Sequence, residues 1–282
     1  MRRPLRSALE SLAAVLFPSD CRICCQPLVR LSRIPVCEGC LDSLAPAKVS
    51  ACSICGEALE FVAVESEPVC GLCRRVPPNF DFAISFAAYD GALRRLVHLL
   101  KYEQLRPAAD VIGRLLAECL AARKFDRPVI VVPVPLHRSK KRQRGFNQSE
   151  LIARSALHHL DSPNFELRTS ILRRVRATTS QTGLTRHQRR ENVRGAFAVA
   201  APELVKGRAV MIVDDVYTTG TTLNECARIL RAAGAEQVVV ATVARVYRQS
   251  VMEMARQAAS SESQWQRDSQ DRNAAVAQAV AG

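Results

Sequence analysis

VMIVDDVYTTGTT, residues Val210 to Thr222, reads as a buried strand that ends in two adjacent carboxylates, turns through hydroxylated residues around one glycine, and enters a helix. Each part suits a sugar phosphate. Asp214 and Asp215 at a strand end can each accept a hydrogen bond from one of two vicinal ribose hydroxyls. Gly220 permits close backbone approach, and Thr218, Thr219, Thr221 and Thr222 add hydroxyl donors. The helix start adds unpaired N–H groups and the positive end of its dipole. Ordinary capping explains Asp or Thr at a helix start, but two aspartates and four threonines around one glycine exceed what a cap needs. The chain carries neither GxxxxGK[ST] nor a GxGxxG after a strand, which excludes the two commoner phosphate loops.

Upstream lies a basic stretch, VPVPLHRSKKRQRGFNQSELIAR, from Val132 to Arg154. A strand ends at Pro133-Val134-Pro135, and Gly145-Phe146-Asn147 leads into a helix. Between them a loop is expected, carrying Arg138, Lys140, Lys141, Arg142 and Arg144. Five cations beside a strand end suit pyrophosphate or a nucleic-acid backbone. A third stretch, Thr178 to Phe197, is polar enough for a flap over a bound anion, with Gln181, Arg189, Asn192 and Arg194 as its candidates. The formal charge of the chain is +13, and between Arg123 and Arg194 there are 17 Lys or Arg against 5 Asp or Glu. A basic run is often only a solvated face. Here it surrounds other phosphate signals, which favours an anionic partner.

Around these stretches, near-continuous Val/Ile runs (PVIVVPVP, AVMIVDD, QVVVATVAR) alternate with helical patterns such as GALRRLVHLLK, PAADVIGRLLAECLAAR, NQSELIARSALHHL and LNECARILRAAG. GAFAV adds a short strand. That alternation predicts an α/β fold, a parallel sheet flanked by helices. The apolar runs fall far short of the ~20 residues that span a bilayer, so no membrane insertion is expected. The start resembles a weak signal peptide, but Glu10 interrupts it and no small-x-small site follows. Leu5, Leu9, Leu12 and Leu16 fall at helical spacing instead, and the chain reads as cytoplasmic. Pro77-Pro78 closes a first region at residue 78, the α/β region spans 79–249, and the polar tail 250–282 reads as disordered.

Nine of the eleven cysteines lie between Cys21 and Cys73. Cys21-x2-Cys24 is followed by twelve residues and Cys37-x2-Cys40; Cys52-x2-Cys55 is followed by fourteen and Cys70-x2-Cys73. A CxxC pair sets two thiolates on one turn, and two pairs complete a closed four-thiolate structural zinc shell, so two zinc ions are expected. Gly56 and Gly71 suit knuckle turns. An odd count argues against a disulfide framework. Cys25 competes with Cys24 as a ligand, and the pairs can close sequentially or interleave. Cys119 and Cys226 read as small core residues.

The DDVYTTGTT loop resembles the phosphoribosyl pyrophosphate (PRPP) motif of type I phosphoribosyltransferases. That resemblance implies Asp214 and Asp215 on the ribose, Thr218 to Thr222 on the 5′-phosphate, the basic segment with Arg189 on pyrophosphate, and Mg2+ with PRPP. With the PVPLH…RGFNQ segment, the Q…R…N flap, Lys101-Tyr102 and the cysteine module, the chain from Leu12 to Arg245 is similar to the competence protein F (ComF, GntX-like) family. The family implies a type I phosphoribosyltransferase fold with an N-terminal zinc-ribbon module, and a setting in DNA uptake during natural transformation. A second reading is a non-catalytic single-stranded DNA-binding protein using the same basic face, although few aromatics accompany it for base stacking. A third is a scaffold whose zinc module recruits a helicase or another DNA-uptake protein. The acceptor of any phosphoribosyl transfer is not written in the sequence.

Overall fold

The computed structural model describes residues 19–28, 32–47, 49–59, 67–178 and 185–247. The expected N-terminal helix, the tail and Gln181 lie outside them. Two short helices, α1 (Glu38–Asp42) and α2 (Gly71–Arg75), belong to the cysteine-rich module. Then come β1 (Phe82–Ala88), α3 (Gly91–Tyr102), α4 (Ala108–Ala121), β2 (Val129–Pro133), α5 (Arg138–Arg144) and α6 (Gln148–Leu160). They are followed by β3 (Phe165–Leu167), β4 (Leu172–Arg174), α7 (Arg186–Val193), β5 (Phe197–Val199), β6 (Ala209–Tyr217), α8 (Thr221–Ala232) and β7 (Gln237–Arg245).

Five strands form one parallel sheet in the order β1-β7-β6-β2-β3. The Val/Ile runs are explained by its two covered faces, because successive side chains leave a strand on opposite sides. Val129, Val131, Met211 and Val213 pack with Leu96, Ile112 and Ile152 of α3, α4 and α6. Ile130, Val132, Val210 and Ile212 pack instead with Leu223, Cys226 and Leu230 of α8. Cys226 is thus a core residue, as its helical setting predicts.

GAFAV is a short strand as expected, β5, and it pairs antiparallel with β4 in a separate ribbon. One expectation is revised. The basic loop is the helix α5. His137 caps it by accepting a hydrogen bond from the Ser139 N–H, the interior Lys, Arg and Gln all favour helix, and Gly145 ends it at φ 78°. On the opposite face, Gly113 of α4 lets α6 come close: a Cβ there would lie 2.4 Å from Ser155 Oγ.

The cysteine module is laced onto β1. The Ala47 N–H donates to the Phe86 carbonyl at 2.9 Å, and the Ala83 N–H donates to the Ile54 carbonyl at 2.8 Å. These bonds cover an outermost strand that would otherwise present open backbone. No helix among the described residues is long and apolar enough to cross a membrane.

Candidate functional site

Strand β2 ends at Pro133, opposite Val213, so β6 runs on past it and carries Asp214 and Asp215 into the space beyond. Asp215 is buried, and its Oδ2 lies 2.7 Å from Lys101 Nζ, a cation delivered by the last turn of α3. Asp214 Oδ1 accepts from Ser149 Oγ at 2.8 Å and from the Asp215 N–H at 2.9 Å. Ser149 sits in the first turn of α6, where Asn147 caps the helix. Burial, and then the neighbouring Asp215, pushes the Asp214 carboxyl up to about 7. Burial acts to depress Lys101, but Asp215 and then Asp214 outweigh it, and its ammonium is held above the usual lysine range.

The raised Asp214 carboxyl has a stability consequence. The folded state holds this proton more tightly than the unfolded chain does, so stability falls as pH rises from the ordinary carboxylate value through about 7. Asp214→Asn removes that fall. The variant should melt higher than the wild type at pH 8 and differ little at pH 4, as thermal denaturation at the two pH values will show.

After β6 the chain turns at Gly220, with φ 72°, into α8. The loop and helix start surround a small cavity of about 120 Å³ lined by Asp214, Val216, Thr218, Gly220, Thr221, Thr222 and Leu223. It therefore joins one acid of the pair to the helix N-terminus. Thr219 and Thr221 hydroxyls are hydrogen-bonded at 2.8 Å. Behind the loop, the buried Tyr217 ring carries Arg245 on its face at 4.1 Å and meets Phe80 edge-on at 6.3 Å.

Cations gather beside the acids. Partial burial, then repulsion from Arg174, Arg144 and Lys101, holds Lys140 below the usual lysine range, so these four charges share one field. Arg174 of β4 also feels Asp214; its guanidinium stacks 5.3 Å from the Phe197 centroid and donates to the Thr178 hydroxyl. Arg144 donates to Gln148 Oε1 and stacks 5.7 Å from the Tyr102 centroid. Arg138 and Lys141 turn elsewhere on α5, into a cavity against β4, and Arg142 is exposed. Within the described part of the flap, Thr185 and Gln188 form a capping box that starts α7. Arg189 is half-buried there, Arg194 lines a large cleft next to the cysteine module, and the Asn192 carbonyl accepts from Arg176.

The cysteines close sequentially. Cys21, Cys24, Cys37 and Cys40 form one group and Cys52, Cys55, Cys70 and Cys73 another. Zn–S bonds of about 2.3 Å set tetrahedral sulfurs roughly 3.8 Å apart. Observed separations are 3.9 Å for Cys21–Cys40, 3.6 Å for Cys24–Cys37 and 3.7 Å for Cys55–Cys70, so both groups suit a zinc ion. Backbone N–H groups of Cys37 and Cys70 point at Cys21 and Cys52 sulfur, each at 3.3 Å, as thiolates require.

Cys25 belongs to neither group. The Cys25 N–H donates to the Cys21 carbonyl as the Gly56 N–H donates to that of Cys52, and both residues have positive φ, 60° and 74°. Cys25 fills the left-handed turn position that glycine takes in the second knuckle. A side chain there costs about 1–2 kcal/mol. Cys25→Gly should raise stability by about 1 kcal/mol in chemical denaturation, with zinc content unchanged.

The sequence matches the family profile of the phosphoribosyl transferase domain over residues 98–269. It is 32% identical over 228 residues to competence protein F of Haemophilus influenzae, covering 78% of this chain and 95% of that protein. The chain belongs to the competence protein F family. Other relatives of this family member include the DNA utilization protein YhgH of Salmonella typhimurium, 36% identical over 227 residues, 79% of this chain and 95% of that one. Among solved structures, a hypoxanthine phosphoribosyltransferase from Staphylococcus aureus, 12% identical, aligns over 50% of this chain and 64% of its own with a TM-score of 0.33. The architecture expected of a competence protein F relative is present: a parallel sheet flanked by helices, with two four-cysteine groups on the N-terminal side. Sequence reasoning missed Ser149 and Arg174, and gave Lys101 no role. Only the Lys101-Tyr102 pair was marked in the sequence, as part of the family resemblance; the fold brings all three residues to Asp214 and Asp215.

Proposed function

We propose that this competence protein F family member binds PRPP, or a ribose-5-phosphate ligand, at the Asp214–Thr222 loop. The observation that carries this reading is the cavity joining Asp214 to the start of α8. A 5′-phosphate seated there meets helix N–H groups and threonine hydroxyls, and Asp214 stands where a sugar hydroxyl would lie, with Asp215 buried next to it. Lys140, Arg144 and Arg174 are then available for the diphosphate. Magnesium, when bound with PRPP, supplies charge neutralisation of the diphosphate, and Asp214 and Asp215 are the carboxylates present to hold it or its waters. Lys101, 2.7 Å from Asp215 Oδ2, holds that carboxylate in place without ligand. If transfer occurs, the cations stabilise the charge that develops on the departing diphosphate.

The two cysteine groups hold structural zinc in this reading, in a module of residues 1–78 beside a ligand-binding domain of 79–249. The names of the relatives support a role in competence and DNA utilisation. In this reading the protein works in the cytoplasm, with DNA-uptake proteins such as a helicase as partners.

Calorimetric titration with magnesium and PRPP tests the site. Wild type should bind, and Asp214→Asn/Asp215→Asn should lose at least about tenfold in affinity, equal to 1.4 kcal/mol. Absence of binding to the wild type would sink the reading. Single-stranded DNA binding by the wild type, untouched by the double substitution, would favour the accessory-protein alternative.

A further inference from the structure

Next to the acidic pair lies a second basic cavity, of about 600 Å³, between α5 and the β4 strand. Arg138 and Lys141, three residues apart and so on one face of α5, form one wall, and Arg173 and Arg174 form the other. Among the described residues, Arg138, Lys141 and Arg173 have no carboxylate partner. Glu150 is the one acid lining the cavity, and Arg154 holds it at 2.9 Å. His137, Thr169 and Ser170 add neutral hydrogen-bonding groups, while Leu136, Leu172 and Val175 give it an apolar part.

The number of cations exceeds what the proposed ligand needs. Lys140, Arg144 and Arg174 share one field with Lys101, the partner of Asp215, and Arg174 also feels Asp214, so these cations are the ones placed to meet a diphosphate. Arg138, Lys141 and Arg173 are left over, and all three line this one concavity. Like charges held together in this way repel until an anion arrives, so the arrangement favours bound phosphate. Arg174 belongs to both places, which sets them side by side.

We propose that this cavity is a second phosphate subsite, distinct from the ribose-5-phosphate loop. It takes a phosphate ester, carried either by a mononucleotide or by the backbone of a single-stranded nucleic acid. The inference stands on Arg138, Lys141 and Arg173 lining one cavity without a carboxylate partner among the described residues, while their being surplus to the diphosphate rests on the PRPP reading. When both sites are filled, the second ligand lies next to the diphosphate position, with Arg174 between them.

The test uses the full zinc-loaded chain and two probes, thymidine monophosphate and a ten-nucleotide oligothymidylate, each titrated with and without saturating magnesium–PRPP. Lys141→Gln/Arg173→Gln should weaken oligothymidylate binding at least about tenfold and flatten its salt dependence by about 0.7 for each phosphate that the variant no longer neutralises. Zinc content and melting temperature report whether the variant is folded. Arg173→Gln alone, remote from the cysteine module, gives a milder version of the same effect. Weakened binding of both probes supports a subsite that seats one phosphate. Weakened binding of the oligonucleotide alone supports it and identifies the source as a polymer. Unchanged affinity and salt slope for both probes in a folded variant overturns the proposal. Failure of PRPP to bind, with these effects intact, overturns the ribose reading alone.

Discussion

Arg245→Ala should destabilise the protein by about 3–5 kcal/mol, the cost of breaking a buried ion pair from one side. Arg245 ends β7 and is only 3% exposed. Its guanidinium faces Glu57 at 2.8 Å, donates to the Cys55 carbonyl and lies over the Tyr217 ring. One side chain thus joins the second cysteine group to the wall behind the phosphate loop. Alanine removes the ion pair to the half-buried Glu57 carboxylate, opens a void under Tyr217 and frees the turn that presents Cys55. Lysine recovers only part of the stability, because one ammonium cannot pair, donate and stack at the same time. Urea denaturation of the three proteins measures their order. A wild-type midpoint for Arg245→Ala would contradict this role.

Gly220→Ala should leave the fold standing and disable the loop. A Cβ at residue 220 would lie 2.2 Å from Tyr217 Oη and 2.5 Å from Cζ, and the φ of 72° is unfavourable for any side chain. Tyr217 cannot retreat, being buried between Arg245 and Phe80. The loop must move instead, and a displacement of about 1 Å at such a site costs on the order of a hundredfold in function. The left-handed backbone adds about 1–2 kcal/mol of destabilisation. The expected result is magnesium–PRPP affinity reduced about a hundredfold, with a modest fall in melting temperature. Full affinity in Gly220→Ala would show that the ligand does not use this turn.

Much of this site is local and was legible in the sequence. The acids, the glycine and the threonines follow one another on a strand-turn-helix, so their order dictates their geometry. The cysteine spacings led equally directly to two four-thiolate groups, because each CxxC pair closes on one turn. Their sequential closure and the exclusion of Cys25 depended on backbone conformation. Even so, a signal was there to read: CRICC and CSICG place Cys25 and Gly56 at the same step of the knuckle. The cations were harder. Charge counting marked the region from Arg123 to Arg194 as basic, but α5 is a helix, and its turns set Lys140 and Arg144 in the field of Lys101 and Arg174 and set Arg138 and Lys141 in the cavity against β4. Lys101 and Arg174 lie far from the acidic pair in sequence, on different elements, and only the parallel sheet and the β4–β5 ribbon bring them near it. β3 and β4, three residues each, are too short for alternation to announce them.

The central claim is that the loop from Thr218 to Thr222 seats a 5′-phosphate. Amide hydrogen exchange, followed residue by residue with and without ribose 5-phosphate, tests it most directly. Slower exchange at Thr218 to Thr222 and the first turn of α8, absent when ribose without phosphate is added, is the predicted result. Unchanged exchange there at saturating ligand, or protection confined to another part of the chain, would contradict the account.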